Sequence, residues 1–459
     1  MTDSIAGLPF WEIRFDADGD PDVAGRDALL AEVPGRGVTD LFVLAHGWNN
    51  DPAVARRLYN GFFGLLAGQL SDASATRPIT AGLAGVVWPS RRWSDEPIPD
   101  FAPAPVAAAS GAASATPVEA AAPEAASAII DPETLAGLRE TFPAAAPVVD
   151  EMAALLEGPP TDEAQARFHA CLKQFATLAG TADDDGEGDS AGPTDEPRML
   201  LDDHTVLFER YRDALQASGV DISPDGSGEA GIGDLAGGIW NGAKEAFRQA
   251  TYWEMKNRAG TVGRNGLGPL IGQLHTAAGQ LRVHLIGHSF GARLVSYALA
   301  GLPDGLTPSP VKSLTLLQGA FSHFAFARPL PFDASRNGAL AGMNARVDGP
   351  LTVCFSVHDG AVGKLYPLAS IASGDDSAAA QDPLYRWGGM GADGAQGVDA
   401  TLDAIQAAGR DASYRFSPDR ILNIDASEVV RRGGPPSGAH SDIIHPELSW
   451  VVLAAATIH

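Results

Sequence analysis

The stretch Val283-His284-Leu285-Ile286-Gly287-His288-Ser289-Phe290-Gly291-Ala292-Arg293-Leu294-Val295-Ser296-Tyr297-Ala298-Leu299 decides how this chain folds. Its first four residues form a largely apolar, strand-like run, and Ala292 to Leu299 carry apolar side chains at helical spacing. Between them lies Gly-x-Ser-x-Gly. A strand that turns at once into a helix forces the residue at the turn, Ser289, into a strained backbone conformation and lifts its Oγ out of the sheet. Strand and helix then approach so closely that the positions two residues to either side must be small, which Gly287 and Gly291 satisfy. The five-residue pattern alone is weak in a chain with 52 glycines among 459 residues, and the flanking strand and helix make it informative.

A serine so placed needs oxyanion donors, an acid and a base. One backbone N–H comes from the residue after the serine, Phe290, and another from a loop that follows an earlier strand. Leu41-Phe42-Val43-Leu44-Ala45-His46-Gly47-Trp48-Asn49-Asn50 supplies that loop; Gly47 is expected to let the backbone turn tightly, which makes the Trp48 N–H the second donor. Asp51 is positioned to cap a helix carrying Val54, Leu58, Phe62 and Leu65 at helical spacing. His46, Gly47 and Asn49 of the loop, His288 of the turn, Trp88 and Trp240 are the residues expected to contact a substrate.

The acid is sought at the ends of the later strands, where an α/β sheet presents its catalytic groups. Ser313-Leu314-Thr315-Leu316-Leu317 reads as one buried strand, and Leu351 to Val357 as the next, followed by His358-Asp359-Gly360. Asp359 is the candidate acid, and Asp425, after Ile421-Leu422-Asn423-Ile424, is the substitute. The chain order that accompanies such an elbow, serine then acid then histidine, leaves His440, His445 and His459 of the eleven histidines. His440 lies in the polar stretch Gly438-Ala439-His440-Ser441-Asp442, whereas His445 precedes Pro446, a residue suited to the first turn of a closing helix that runs to Thr457. His440 is therefore the candidate base, with His445 as helix-entry residue.

These features resemble the α/β-hydrolase superfamily: a His-Gly loop, a G-H-S-F-G elbow, a strand-end aspartate and a late His-Ser-Asp. The chain is similar in particular to bacterial esterase- and lipase-like proteins whose second core strand ends in Trp-Pro-Ser, here Val86-Val87-Trp88-Pro89-Ser90. The resemblance covers roughly residues 9–95 and 245–459. It implies a doubly wound, mostly parallel α/β sheet, and a serine hydrolase that cleaves carboxylic esters through an acyl-enzyme, with Ser289 as nucleophile, His440 as base and Asp359 as acid. Lipase, thioesterase, amidase and acyltransferase chemistry use the same triad, and an interaction scaffold that keeps the fold without turnover is the alternative from another class. The His-Gly-Trp loop departs from the His-Gly-Gly-Gly form of many lipases.

Residues 101–240 are the part the resemblance leaves out. They hold 25 Asp and Glu against 6 Lys and Arg, 19 of the chain's 25 net negative charges, so the remainder is close to neutral. The expected division is a first hydrolase segment 1–100, an acidic Ala/Pro/Gly-rich insertion 101–240, and a second hydrolase segment 241–459. Phe101 to Ser127 reads as a linker, Thr134 to Leu156 and Glu163 to Ala179 as helices, and Gly228 to Gly242 as a mobile lid or a Gly-rich connection into a helix Lys244 to Arg258. The run Asp183 to Asp189 lacks calcium-loop spacing, since Thr181 and Gly192 occupy the end positions, and reads as a solvated acidic loop. An insertion of this kind is expected to fold outside the sheet, as a cap over the pocket or as a protein-binding surface.

The acidic balance disfavours nucleic acid and anionic membranes as partners, and the resemblance implies a small-molecule or lipid-like ester as the substrate. No phosphate-binding loop, dinucleotide fingerprint or Cys/His metal spacing occurs, so neither cofactor nor metal is expected. Cys171 and Cys354 read as buried small side chains. Met1 to Phe15 lacks a basic n-region and a continuous apolar stretch, and no run of about 20 apolar residues suits a bilayer. Cytoplasmic residence is the expectation, although export without a cleaved signal leaves the same sequence.

Overall fold

The computed structural model describes residues 3–70, 77–90, 93, 127–179, 198–217, 220, 232–365, 388–409, 411–417, 420–434 and 437–457. Among them the strands β1 (Asp3–Ile5), β2 (Leu8–Arg14), β3 (Asp40–Ala45), β4 (Ala81–Val87), β5 (Arg282–His288), β6 (Val311–Leu317), β7 (Leu351–Phe355), β8 (Ala400–Ala404) and β9 (Ile421–Asp425) form one sheet in the order β1-β2-β4-β3-β5-β6-β7-β9-β8. Only β1 and β2 pair antiparallel; every other neighbour is parallel. This mixed, mostly parallel sheet with helices on both faces has the α/β-hydrolase pattern.

The inner strands are buried along most of their length and largely apolar because both of their faces are covered. Successive side chains of β3 go to opposite layers: Leu41, Val43 and Ala45 join one apolar cluster, Phe42 and Leu44 the other. On the second face lie the helices α2 (Pro52–Gln69) and Pro446–Thr457, tied where Gln69 Nε2 donates to the Pro446 carbonyl at 2.9 Å. As expected, Asp51 caps α2, accepting from the Val54 N–H at 2.8 Å, but Leu66 rather than Leu65 completes its buried stripe.

The first face carries α1 (Val23–Gly35) and the helices of the insertion: α3 (Pro132–Thr141), α4 (Ala146–Leu156), α5 (Asp162–Ala179), α6 (His204–Ala217) and α7 (Ile232–Thr261), followed by α8 (Gly268–Ala277) and α9 (Phe290–Gly301). The single helix expected over Thr134 to Leu156 is broken after Thr141, where Pro143 and Pro147 remove backbone donors. Nor is the described part of Gly228 to Gly242 a lid or a loose connection, since α7 already begins at Ile232 and runs without interruption to Thr261. The linker over Phe101 to Ser127, save its last residue, and the acidic run Asp183 to Asp189 lie outside the described residues.

Packing does not set the insertion apart. Phe142 and Phe175 meet edge-on at 5.0 Å, Phe175 and Phe247 at 5.1 Å, and Phe247 and Trp93 at 5.4 Å, so one aromatic ladder runs from the insertion through α7 to the segment after β4. Phe142, Met152, Phe168 and Phe175 belong to the same apolar cluster as Val43, Leu285 and Phe290. Among the described residues no helix is long and apolar enough to cross a membrane.

Candidate functional site

Ser289 sits between β5 and α9 with φ 57° and ψ −123°, a conformation that costs a non-glycine residue about 1–3 kcal/mol. Its surroundings hold it there. The Ser289 N–H donates to the Leu317 carbonyl at 3.1 Å, extending the β5–β6 ladder, while its own carbonyl accepts from the Ala292 and Ala320 N–H groups at 3.1 and 3.2 Å. A side chain at Gly287 or Gly291 would collide with backbone, that of Ala292 in the first case and that of Ala45 and His46 in the second.

Two loops remote in sequence bring the histidine and the aspartate to this serine. The Asp359 turn follows β7, and the segment before the closing helix runs antiparallel to it: Ala439 N–H donates to the His358 carbonyl at 2.9 Å and Gly360 N–H to the Ser437 carbonyl at 3.0 Å. This pairing places His440 over Ser289. Ser289 Oγ–H donates to His440 Nε2 at 2.8 Å, and His440 Nδ1–H donates to Asp359 Oδ2 at 2.8 Å. The acceptor on the Nδ1 side fixes the imidazole tautomer, leaving the Nε2 lone pair for the serine proton. The Val362 N–H donates to Asp359 Oδ1 at 3.0 Å and anchors the other carboxylate oxygen.

Asp425 and His445 are occupied elsewhere. Asp425 Oδ1 accepts from the backbone and hydroxyl of Ser427, and His445 Nε2 pairs with Asp442 Oδ1 at 2.8 Å at the entry to the closing helix.

The loop His46 to Asn50 meets the turn from the other side. Gly47 does not adopt a left-handed conformation, so the reason for glycine here is not the tight turn expected from sequence. An added Cβ would lie 2.5 Å from Ser289 Cβ and 3.0 Å from its Oγ, so the loop backbone packs directly on the serine. Neither the Trp48 N–H nor the Phe290 N–H donates to an acceptor among the described residues.

Most residues expected to touch substrate instead hold this loop. His46 is fully buried and stacks on Trp88 at 5.7 Å, and the Trp88 indole N–H donates to the His46 carbonyl at 2.9 Å. Ser90 Oγ–H and Asn50 Nδ2 both donate to the Gly47 carbonyl, at 3.0 and 3.1 Å, and Asn49 Oδ1 accepts from the Trp93 N–H. The Trp-Pro-Ser segment is thus the clamp of the loop. His288 is buried, and its Nε2–H donates to the His440 carbonyl at 2.9 Å. Trp240 lies in the insertion's packing, 5.8 Å from Phe168, with its indole N–H on the Gly158 carbonyl at 2.7 Å. The structure therefore does not bring Trp240 into contact with the Ser289 group.

Burial keeps the neighbouring histidines neutral: it pushes His46 down to about 4 and His288 down to about 3, the latter helped by the nearby His440 ring.

Two residues escaped sequence reasoning. Tyr252 on α7 sets its ring between the two loops, edge-on to Trp48 at 5.2 Å and against Phe290 at 4.5 Å, and nothing in a helical pattern announces which neighbours an aromatic ring will meet. Gln318 follows β6 and reaches Asp359, a position that the strand-end rule, applied to every strand, would have marked. A second Ser-His-Asp chain also exists: His284 bonds Ser313 Oγ at 2.8 Å and Asp40 Oδ1 at 3.1 Å. It lies wholly buried near the opposite ends of the strands, where Arg77 also bonds Asp40 and no substrate has access. Among the described residues no cluster of His, Cys, Asp and Glu is arranged to hold a metal.

No protein-family model matches this chain, and neither a curated protein nor a solved structure does. The hydrolase-like fold is therefore established by strand order and direction alone.

Proposed function

We propose that the chain is a serine hydrolase that cleaves carboxylic esters through an acyl-enzyme. The observation that carries this reading is the continuous hydrogen-bonded chain Ser289 Oγ, His440 Nε2, His440 Nδ1, Asp359 Oδ2, with both links at 2.8 Å. Ser289 Oγ attacks the ester carbonyl carbon while His440 Nε2 takes its proton. The carbonyl π electrons move to oxygen, and the Trp48 and Phe290 N–H groups receive that oxyanion; each such donor contributes about 3 kcal/mol to the transition state. As the tetrahedral centre collapses, the alkoxide leaves with the proton from Nε2. A water then loses a proton to Nε2, attacks the acyl-enzyme carbonyl and releases the carboxylic acid with Ser289 restored. Asp359 holds the ring orientation and stabilises the imidazolium in both halves.

The strained φ of Ser289 and the direct packing of Gly47 on it support the same reading, because both are costs that bring the serine hydroxyl and the loop to one point. Treatment with a fluorophosphonate and peptide mass mapping should find the adduct on Ser289, and p-nitrophenyl esters of graded chain length should be hydrolysed. Ser289→Ala should remove both signals, with kcat lowered at least about 10³-fold. An unlabelled Ser289 together with no ester turnover would refute the proposal.

A further inference from the structure

Gln318 is the first residue after β6, with its N–H bonded to the Cys354 carbonyl at 3.1 Å, and it is completely buried. Its Nε2 lies 3.3 Å from Asp359 Oδ2 and 3.2 Å from the Gly391 carbonyl oxygen. The amide orientation follows from these partners: a carboxylate and a carbonyl only accept, so the NH2 group must face both. Asp359 Oδ2 therefore receives two donors, the His440 ring at 2.8 Å and the Gln318 amide.

Two features of Gln318 oppose stability. Its φ is 49°, in the region that favours glycine, and its Oε1 is buried with no hydrogen-bond partner. An unbranched apolar side chain of the same length, methionine, would fill the space without the orphaned oxygen. Gly391 would not be stranded by the change, because its carbonyl also accepts from the Ser356 N–H at 3.0 Å.

We propose that Gln318 is a positioning residue for the Asp359–His440 pair, its amide N–H holding Oδ2 toward the imidazole and limiting how strongly that oxygen draws the ring's proton. The proposal rests on the triad reading above. An N–H shared on Oδ2 withdraws electron density from it, which weakens its hold on the imidazolium. Removing the donor leaves the carboxylate anchored at Oδ1 by the Val362 N–H but makes its Oδ2 the stronger partner of the charged ring.

Other ionisable groups lie on the segments around this pair. His288 contacts the His440 carbonyl from the elbow, Asp442 and His445 pair with each other further along the His440 loop, and Asp393 pairs with His323 at 2.8 Å beside the Gly391 segment. None of these side chains is bonded to the Gln318 amide, whose partners are Asp359 Oδ2 and the Gly391 carbonyl, so a shift of the pH profile reports on the Asp359–His440 pair.

The test is the second-order rate constant for phosphonylation of Ser289 by a fluorophosphonate, followed across pH, since that step needs neutral His440. Gln318→Met should lower the plateau about tenfold and move the acid limb upward by about half to one pH unit, while the melting temperature holds or rises. Gln318→Leu, which also lacks the N–H donor, should move the limb in the same direction. Limbs that coincide in wild type and Gln318→Met, with rates lowered equally at every pH, would show a side chain that only fills space and would overturn the proposal. If Gln318→Met does not fold, an unmoved limb in Gln318→Leu overturns it. A wild-type protein that is not labelled at Ser289 removes the triad reading itself, and the proposal with it.

Discussion

Gly47→Ala probes the point where two distant parts of the sequence meet. The new Cβ would sit 2.5 Å from Ser289 Cβ, whereas non-bonded carbons rest at about 3.5–4.0 Å, so loop and serine must separate by roughly 1–1.5 Å. Neither side can yield cheaply. Ser289 Cβ is fixed by a backbone held at φ 57° between β5 and α9, and the loop is clamped through Ser90, Asn50 and Trp88. A displacement of about 1 Å at a reacting centre costs on the order of 100-fold in rate, and overpacking of this kind costs about 1–3 kcal/mol of stability. The assay is the rate of fluorophosphonate labelling of Ser289, read beside the melting temperature. Gly64→Ala is the internal control: Gly64 lies within α2, an added Cβ meets nothing within 4 Å, and the substitution should stabilise by up to about 1 kcal/mol without changing the labelling rate. A Gly47→Ala protein that labels within about threefold of wild type, less than 1 kcal/mol of barrier, would show that loop and serine are not packed as described.

Three further outcomes follow from the packing. Asp359→Asn should slow labelling substantially, though less than His440→Ala, while Asp425→Asn should leave it unchanged because Ser427 already occupies the Asp425 carboxylate; the reverse ranking would move the acid to the later strand. Glu254 is buried in α7, and burial, partly offset by Arg258, pushes its carboxyl up to about 8. The folded chain therefore binds a proton there that the unfolded chain has lost, and stability declines as pH rises from the unfolded value of about 4.5 through about 8. Glu254→Gln should accordingly raise the melting temperature at about pH 9 and change it little at about pH 5, and equal shifts at both would refute the assignment. Excision of residues 101–225 should give insoluble or unlabelled protein, because it strips Phe142 and Phe175 from Phe247, and each large apolar side chain uncovered costs about 2 kcal/mol. A soluble, labelled product would restore the picture of an insertion folded outside the sheet.

Local pattern carried the fold a long way. Apolar runs bounded by turn residues marked β3, β5, β6, β7 and β9, since strands buried on both faces are largely apolar. Edge strands β1 and β8 lack that signal: β8 is half exposed, with Leu402 60 % accessible, and its five residues do not alternate in a readable way. Asp51 as cap of α2 was legible because capping is a contact between residues three apart. The break in the helix over Thr134 to Leu156 rests on the same kind of local cause, the two prolines, but apolar spacing masked it.

The sequence by itself determined that Ser289 stands at a turn between strand and helix, that Asp359 follows a strand, and that His440 lies in a late polar loop, because each depends on residues only a few positions apart. Only the tertiary structure decided that these three meet, through pairing of the 358–360 and 437–439 segments, and that Ser313, His284 and Asp40, the same residue types in mutual contact, are sealed inside the protein. It alone converted His46, Asn49 and Trp88 from expected substrate contacts into supports of the Gly47 loop, and joined the acidic insertion to α7 and the segment after β4 through shared aromatic packing. The reason is physical: burial and side-chain contact between residues hundreds of positions apart are set by how the elements pack, and periodicity along the chain records which face of an element is apolar but not what that face will meet.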